Sequence, residues 1–462
     1  MNDLKKWELE RRGNDLSWDG CRLPDLAREF GTPLFVVNRG ILEESVRAIN
    51  EAFEPAGLRA RVFFSYKTNP VPEVLRVMAG AGVGAEVISE LEFRLARRLE
   101  LGGEKIIVNG GAKSEALLRP AVEHGAHMIT VQGLADLRAL ERVGQDLGKQ
   151  VNVGLRINPG LRPRVFSFTV STGTSNSPIG FVRGSEEWHQ ALRTVAGNPA
   201  FRFRGLHFHI GSGIRTAAPY REALRNALPF LEDARRQGLI PEVVDIGGGF
   251  NISTLKEVGL WEAVRLFAWN KPQRPPQFKP PTLLLKEVAQ ACSKILGGYF
   301  REKRLPRPEI FVEPGRALSA SSQLLLLGVK SVVEQKRGRL AAICDGGAMS
   351  LSHLLLSEYH TIFAANKADG QSGRRYNLYG SLPTPLDFVA AERRLPPLAP
   401  GDILAVMDTG AYFTSLSNNF AGPRPAVVMV ENGGRRLIRR RETFEDIFSR
   451  DAIFGKAERH AS

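Results

Sequence analysis

The sequence predicts a (β/α)8 TIM barrel joined to a second, mostly β domain, and three observations carry that prediction. Eight short apolar, β-prone runs, at 61–66, 84–89, 105–109, 127–131, 151–157, 205–210, 242–246 and 309–313, each end in polar or Gly-rich turns. The segments between them, such as Ile41 to Phe53 and Pro72 to Ala79, carry the apolar spacing of amphipathic helices. Eight alternations over roughly 250 residues is the arithmetic of a closed parallel barrel. After residue 316 the rhythm changes. Leu324 to Val333, Leu340 to Cys344, Ile403 to Met407 and Ala426 to Glu431 read as strands with no regular helices between them.

A chain of 462 residues exceeds the size of one hydrophobic core, so more than one domain is expected. The expected division is an N-terminal segment, 1–38, packing with the β domain, a barrel over 39–316, and a C-terminal β domain over 317–462. The first segment holds a short helix, Leu23 to Phe30, and a strand, Pro33 to Val37, able to join the second domain. A Pro- and Lys-rich piece, Asn270 to Pro281, reads as a surface insertion in the last crossover. The polar run Ala365 to Tyr376 reads as a mobile loop.

Composition excludes several classes. Hydrophobic residues at 43% and charged residues at 24% are those of a soluble globular protein. No apolar run reaches the ~20 residues of a membrane span, and Met1 to Trp7 leads into no signal-peptide core, so no membrane association is expected. Three widely spaced cysteines, Cys21, Cys292 and Cys344, fit a reducing cytoplasm and suggest neither a disulfide framework nor a metal site. The net charge of +14 is scattered in pairs such as Arg11-Arg12, Arg97-Arg98 and Arg374-Arg375, without a nucleic-acid-binding signature. It reads as a basic surface or an attraction for anionic substrates, with no nucleic-acid partner.

Barrel chemistry sits at the carboxyl ends of strands, with phosphate often held after the seventh and eighth. The first strand runs through Phe63-Phe64-Ser65-Tyr66 into Lys67. Desolvation there would lower the pKa of an amine and free it to attack a carbonyl, although a strand-end Lys that snorkels to water would read the same in this stretch alone. Glu86 lies in the second strand and Arg156 ends the fifth. The sixth ends in His207-Phe208-His209-Ile210-Gly211-Ser212, whose alternation puts two imidazoles on one face, able to lie against a planar ring. The seventh ends in Asp245-Ile246-Gly247-Gly248-Gly249, where backbone N–H groups can close on a phosphate without a side chain in the way. The eighth ends in Glu313-Pro314-Gly315-Arg316, a carboxylate and a guanidinium able to serve opposite ends of one ligand.

Taken together, Tyr66 to Asn69, Gly84 to Glu92, Asn109-Gly110 with Ala112-Lys113, His209 to Ser212, Asp245 to Phe250, Glu313 to Arg316 and Gly410-Ala411-Tyr412 resemble the fold-type III pyridoxal-phosphate enzymes. The resemblance is to the diaminopimelate/ornithine decarboxylase group, from about residue 25 to about residue 450. It implies an alanine racemase-like barrel and pyridoxal 5'-phosphate (PLP) as cofactor. Lys67 would carry PLP as a Schiff base, His209 would stack on its ring and Glu313 would pair with the ring nitrogen; these three are the catalytic candidates. Ser212, Gly247, Gly248, Gly249, Gly315, Arg316 and Tyr412 would hold the phosphate end, with Glu86 and Arg156 completing the cofactor-binding set. A homodimer with shared sites and an amino-acid substrate are implied as well.

The pattern also fails in places. The family's interface-crossing Cys would stand between Gly380 and Asp387, where this chain has Pro383. The Arg-Pro and Tyr expected after Asp345-Gly346-Gly347 are replaced by His353-Leu354 and Ser357, and the Lys of a barrel turn by Pro178. Cofactor residues are kept while substrate residues are replaced, which leaves three readings open. The chain is a decarboxylase of an atypical amino acid, a PLP enzyme of other Cα chemistry such as epimerisation, or a PLP-binding protein that has lost catalysis. His353 and Thr384 are the candidate substrate contacts.

Overall fold

Eight parallel strands form the closed barrel: β1 (Ala60–Ser65), β2 (Gly84–Val87), β3 (Ile106–Val108), β4 (Met128–Val131), β5 (Val151–Arg156), β6 (Phe201–His207), β7 (Val243–Asp245) and β8 (Glu309–Val312). Pairing of Ile310 with Ala60 and of Val312 with Val62 completes the ring. The structure, a computed structural model, describes residues 4–161, 173–174, 177–252, 254, 256–257, 275, 281–335, 338–369 and 373–454. Every expected barrel strand is present. The sixth differs most, starting at Phe201 because Arg202 and Arg204 interrupt the apolar run that marks a strand. Both arginines are spent on Glu242, Arg204 Nη1 at 2.6 Å.

The barrel interior is filled by Phe63, Ile107, Met128, Val243 and Phe311. Large side chains are matched by glycines on neighbouring strands: a Cβ on Gly84 would lie 2.5 Å from the Phe63 ring, and one on Gly154 2.5 Å from Met128 Sδ. The amino-terminal end is closed by the guanidinium of Arg61, 5.3 Å above the Phe63 ring and 5.4 Å from that of Phe311. The opposite end, where β1 to β8 finish, is left for chemistry.

The chain divides into two units. Residues 42–253 with 278–319 make the barrel unit, and residues 1–41, 254–277 and 320–462 make the β unit. In the β unit the main path of strands runs Phe388–Leu395, Arg374–Tyr379, Arg339–Cys344, Gln323–Gln335, Leu34–Asn38, Ala426–Glu431, Gly434–Arg439. Leu34–Asn38 is an interior strand, antiparallel to Gln323–Leu326 and parallel to Ala426–Val430. Its Leu34 and Val36 pack with Leu324, Leu326, Met407 and Val428.

Three departures from the sequence reading lie in this unit. Leu9–Arg12, Asp15–Trp18 and Cys21–Arg22 form a small sheet whose polar alternation hides it. It is anchored by Trp7 Nε1, which donates to Asp408 at 3.0 Å, and by Trp18 Nε1, which donates to the Trp7 carbonyl at 2.7 Å. Lys256–Glu257 pairs with Glu358–Tyr359, so this stretch clusters with the β unit instead of remaining within the barrel's last crossover. Residues 270–280, apart from Pro275, lie outside the described residues. Of the run 365–376, residues 370–372 lie outside the described residues; in the rest, Ala365 N–H donates to the Ile403 carbonyl at 2.7 Å, and Arg374–Tyr379 is a strand whose arginines face outward. Among the described residues no helix is long and apolar enough to cross a membrane.

Candidate active site

Lys67 leaves β1 in a single 3-10 turn, Tyr66–Thr68. Its Nζ donates to Glu86 Oε2 at 2.7 Å and to Ser65 Oγ at 2.6 Å, and the Ser65 hydroxyl donates to the same carboxylate. Glu86 is 2% exposed in β2, paired in register with Ser65, whereas the Lys67 side chain remains 41% exposed. The amine is therefore reachable from the barrel mouth while its partner is not. Lys113 differs: its side chain is fully buried, donating to the Gly110 carbonyl at 2.7 Å and to Asp136 at 3.2 Å.

Across the mouth, Glu313 follows β8 and is buried. Asn109, after β3, donates Nδ2 to Glu313 Oε1 at 2.6 Å and to Glu86 Oε1 at 3.2 Å. His207 Nε2 lies 3.5 Å from Glu313 Oε2, and His207, Asp245 and Glu313 bring their polar atoms within 4.8 Å of one another. Burial and the charge of Glu313 push Asp245 well above the ordinary carboxylate range. Burial works against Glu313 too, but the neighbouring His207, Asp245 and His209 outweigh it and hold this carboxylate below its usual range. The two neighbouring acids are thus pushed in opposite directions, Asp245 up and Glu313 down.

His209 lies two residues beyond β6, and its Nδ1 accepts the Gly248 N–H at 3.2 Å. Burial pushes this imidazole down to about 3, with Arg156 and Lys67 adding to the effect against Glu313, so the ring is neutral. Arg156, at the end of β5 and opposite His207 in register, has its charge opposed by burial and favoured by Glu313, Glu86 and Asp245.

The Gly247 to Gly249 turn is packed backbone on backbone. Gly247, at φ +66°, donates its N–H to Asp245 Oδ1 at 2.8 Å, and its carbonyl accepts from Glu313 N at 2.9 Å. A Cβ on Gly248 would lie 2.1 Å from the Glu313 carbonyl oxygen, and one on Gly249 2.1 Å from that of Gly211. Ser212 sits in the loop that Gly249 holds, since Ile214 N–H donates to the Gly249 carbonyl at 2.9 Å. Tyr220 donates to the Gly248 carbonyl at 2.7 Å and stacks on Phe250, centroids 4.9 Å apart. Gly315 is as tight, a Cβ there meeting Thr68 Oγ1 at 2.2 Å, and Arg316 opens the short helix Arg316–Ser319.

The structure thus gathers Lys67, Glu86, Arg156, His209, Ser212, Gly247, Gly248, Gly249, Glu313, Gly315 and Arg316 within the barrel unit, at strand ends. Tyr412, His353 and Thr384 belong to the β unit. There Tyr412, at φ +64°, accepts from Ser352 Oγ at 3.1 Å, and His353 precedes the helix Leu354–Ser357. The turn holding Pro383 is closed by Asp387, which is buried and accepts from Leu382 N at 3.0 Å and Met349 N at 3.1 Å. Thr384 Oγ1 accepts from Leu386 N at 3.3 Å. Sequence reasoning missed the roles of Ser65, Asn109, Asp245 and Tyr220. The first two could have been found by parity, since each sits at a strand end beside a singled-out carboxylate.

Chemically the barrel mouth offers an amine, a neutral imidazole, an ionised carboxylate and a glycine turn. Asn109 Oδ1 and His207 Nδ1 are buried without a hydrogen-bond partner among the described residues. Buried polar atoms left so are what a polar ligand satisfies.

Residues 39–320 match the family described as pyridoxal-dependent decarboxylase, pyridoxal binding domain. The chain is 30% identical to a diaminopimelate decarboxylase of Actinosynnema pretiosum subsp. auranticum, covering 96% of this chain and 93% of that one. It is 28% identical to that of Archaeoglobus fulgidus, over 95% and 97%. Among solved structures, the diaminopimelate decarboxylase of M. jannaschii in co-complex with L-lysine superposes with a TM-score of 0.84 at 27% identity, over 96% and 97% of the two chains.

Proposed function

The chain belongs to the pyridoxal-dependent decarboxylases, and we propose that it removes the α-carboxylate of an amino acid whose distal end differs from that of unmodified diaminopimelate. The observation that carries the proposal is a contrast. The barrel mouth keeps its amine, carboxylates, imidazole and glycine turn in one bonded set, while the positions expected to meet the substrate hold Pro383, His353 and Ser357. The residues at the mouth fit PLP: Lys67 for the aldehyde, neutral His209 for the ring face, Glu313 for the ring nitrogen, and Gly247 to Gly249 with Ser212 and Arg316 for the phosphate.

When bound, PLP supplies the electron sink for the bond broken at Cα. The protein's part is electrostatic and geometric. Glu86 and Ser65 hold Lys67 Nζ at the end of β1, and Glu86, being buried, also favours the ammonium form of this lysine whenever it is free. Glu313, held below the usual carboxylate range beside His207 and Asp245, can hold a proton on a ring nitrogen. Pro383 has no acid to give, so the proton that replaces CO2 at Cα must come from elsewhere. Thr384 is a poor acid near neutral pH and its oxygen already accepts a backbone bond. Lys67 as an ammonium is the stronger donor, so turnover is expected to be slow.

The test has two parts. Borohydride reduction and peptide mapping should place the pyridoxyl group on Lys67; attachment to another lysine such as Lys113 would overturn the site. A panel of D- and L-amino acids should then yield one that releases CO2. Exchange of Cα hydrogen with solvent deuterium, without CO2 from any of them, would favour epimerisation instead, and the lack of both CO2 and exchange would identify a PLP-holding relic.

A further inference from the structure

A single amide stands between the two carboxylates of the site. Asn109 is buried, and its Nδ2 donates to Glu313 at 2.6 Å and to Glu86 at 3.2 Å. Its orientation is dictated, because turning the amide over would set a carbonyl oxygen against both carboxylates. Its position is dictated as well. The Asn109 N–H donates to the Val87 carbonyl at 2.8 Å, Gly110 follows at φ +98°, and the buried Lys113 clamps the Gly110 carbonyl at 2.7 Å while paired with Asp136. A continuous bonded path therefore runs from Lys67 through Glu86 and Asn109 to Glu313.

We propose that Asn109 is a positioning residue for the decarboxylation, coupling the carboxylate that serves Lys67 to the carboxylate that serves the cofactor ring. Both acids lie within reach of one amide nitrogen, in a dry pocket already crowded by Asp245. Two carboxylates so placed cannot both stay ionised unless donors stand between them. Without the amide, one of them takes up a proton. On Glu313 that proton would end its ability to hold one on the ring nitrogen. The proposal deepens the reading of the barrel mouth as a PLP site and rests on it.

Asn109→Leu removes the donor at similar volume, and Asn109→Asp replaces it with a further acid of the same shape that still packs when protonated. Each is compared with wild type by PLP titration of the cofactor-free protein and by the pH midpoint of the bound cofactor's absorbance. Loss of a hydrogen bond to a charged group predicts PLP binding about 10- to 100-fold weaker in both variants, and a midpoint shifted by about one pH unit. For Asn109→Asp the weakening should grow as pH rises from about 5 to about 8, as the new acid ionises. A merely structural role would lower the thermal stability of the cofactor-free protein without moving the midpoint, and that result overturns the proposal. Variants that match wild type in affinity and midpoint, while wild type binds PLP through Lys67, overturn it alone. A wild-type protein that binds no PLP overturns the site reading and this proposal together.

Discussion

Replacing Gly248 by Ala tests whether the β7 turn and the end of β8 are packed as closely as the geometry requires. The added Cβ would stand 2.1 Å from the Glu313 carbonyl oxygen and 3.0 Å from its carbonyl carbon, both backbone atoms with no rotamer to escape through. Ordinary contact needs the two segments to part by about 1 Å. Overpacking of this kind costs about 1–3 kcal/mol. The displacement falls on atoms that matter: Gly248 N–H is bound to His209 Nδ1, its carbonyl takes the Tyr220 hydroxyl, and Glu313 follows β8 directly. Urea unfolding of the cofactor-free protein, followed by far-UV circular dichroism, should show the loss as a lower midpoint. PLP titration should show affinity weakened about tenfold or more, the equivalent of about 1.4 kcal/mol. The control is Gly297→Ala, in the helix Pro281–Glu302 with no atom among the described residues beyond its own helix backbone within 4 Å of the new Cβ, which should stabilise by about 0.5–1 kcal/mol. A Gly248→Ala protein with the wild-type midpoint and wild-type PLP affinity would refute the close approach.

Glu313→Gln should keep PLP bound but lower turnover about 10²-fold or more, since a neutral amide cannot hold the ring nitrogen protonated; steady-state rates and cofactor absorbance check the two halves. Asp245→Asn bears on pH. The folded-state pKa of Asp245 is raised, so its contribution to stability is whole below its unfolded value of about 3.9 and is lost as pH rises through the folded value. An amide stays neutral at every pH and escapes that loss, so urea midpoints should favour the variant more at pH 8 than at pH 5. Pro383→Cys should raise the rate or leave it unchanged, and add a limb near pH ~8.5 to a profile that lacks one in the wild type. Sedimentation should find a homodimer, and a monomer that turns over substrate would contradict the shared-site expectation.

The barrel was legible because each strand carries its own local signal: a short apolar run closed by a turn, eight times over. Where a strand is polar on one face the signal weakens, as with Arg202 and Arg204 in β6 or Arg374 and Arg375 in the β unit. The small sheet Leu9 to Arg22 was invisible for the same reason, its burial resting on Trp7 and Trp18 and not on alternation. Lys67, Glu313 and the three glycines could be singled out from their joint strand-end placement and the family resemblance. What joins them could not, because Asn109, Asp245 and Ser65 act through distances across the barrel. No spacing within the chain encodes the 2.6 Å between Asn109 and Glu313. The opposite shifts of Asp245 and Glu313 likewise depend on burial and on His207.

The interior strand Leu34–Asn38 has a kinetic consequence. Both of its hydrogen-bonding neighbours, Gln323–Gln335 and Ala426–Glu431, are made only after the whole barrel has been synthesised. At a ribosomal pace of about 5–20 residues per second, this strand spends tens of seconds with both edges unsatisfied. Strand edges left open are templates for pairing with other chains, and contacts of such sequence separation form slowly. The barrel can close around its own local contacts meanwhile, so β-unit assembly is the step at which nascent chains should be most prone to aggregation, and the step at which a holding chaperone should raise the yield. A C-terminal truncation that removes Ala426–Glu431 should leave Leu34–Asn38 paired on one side only, and send the protein into the insoluble fraction.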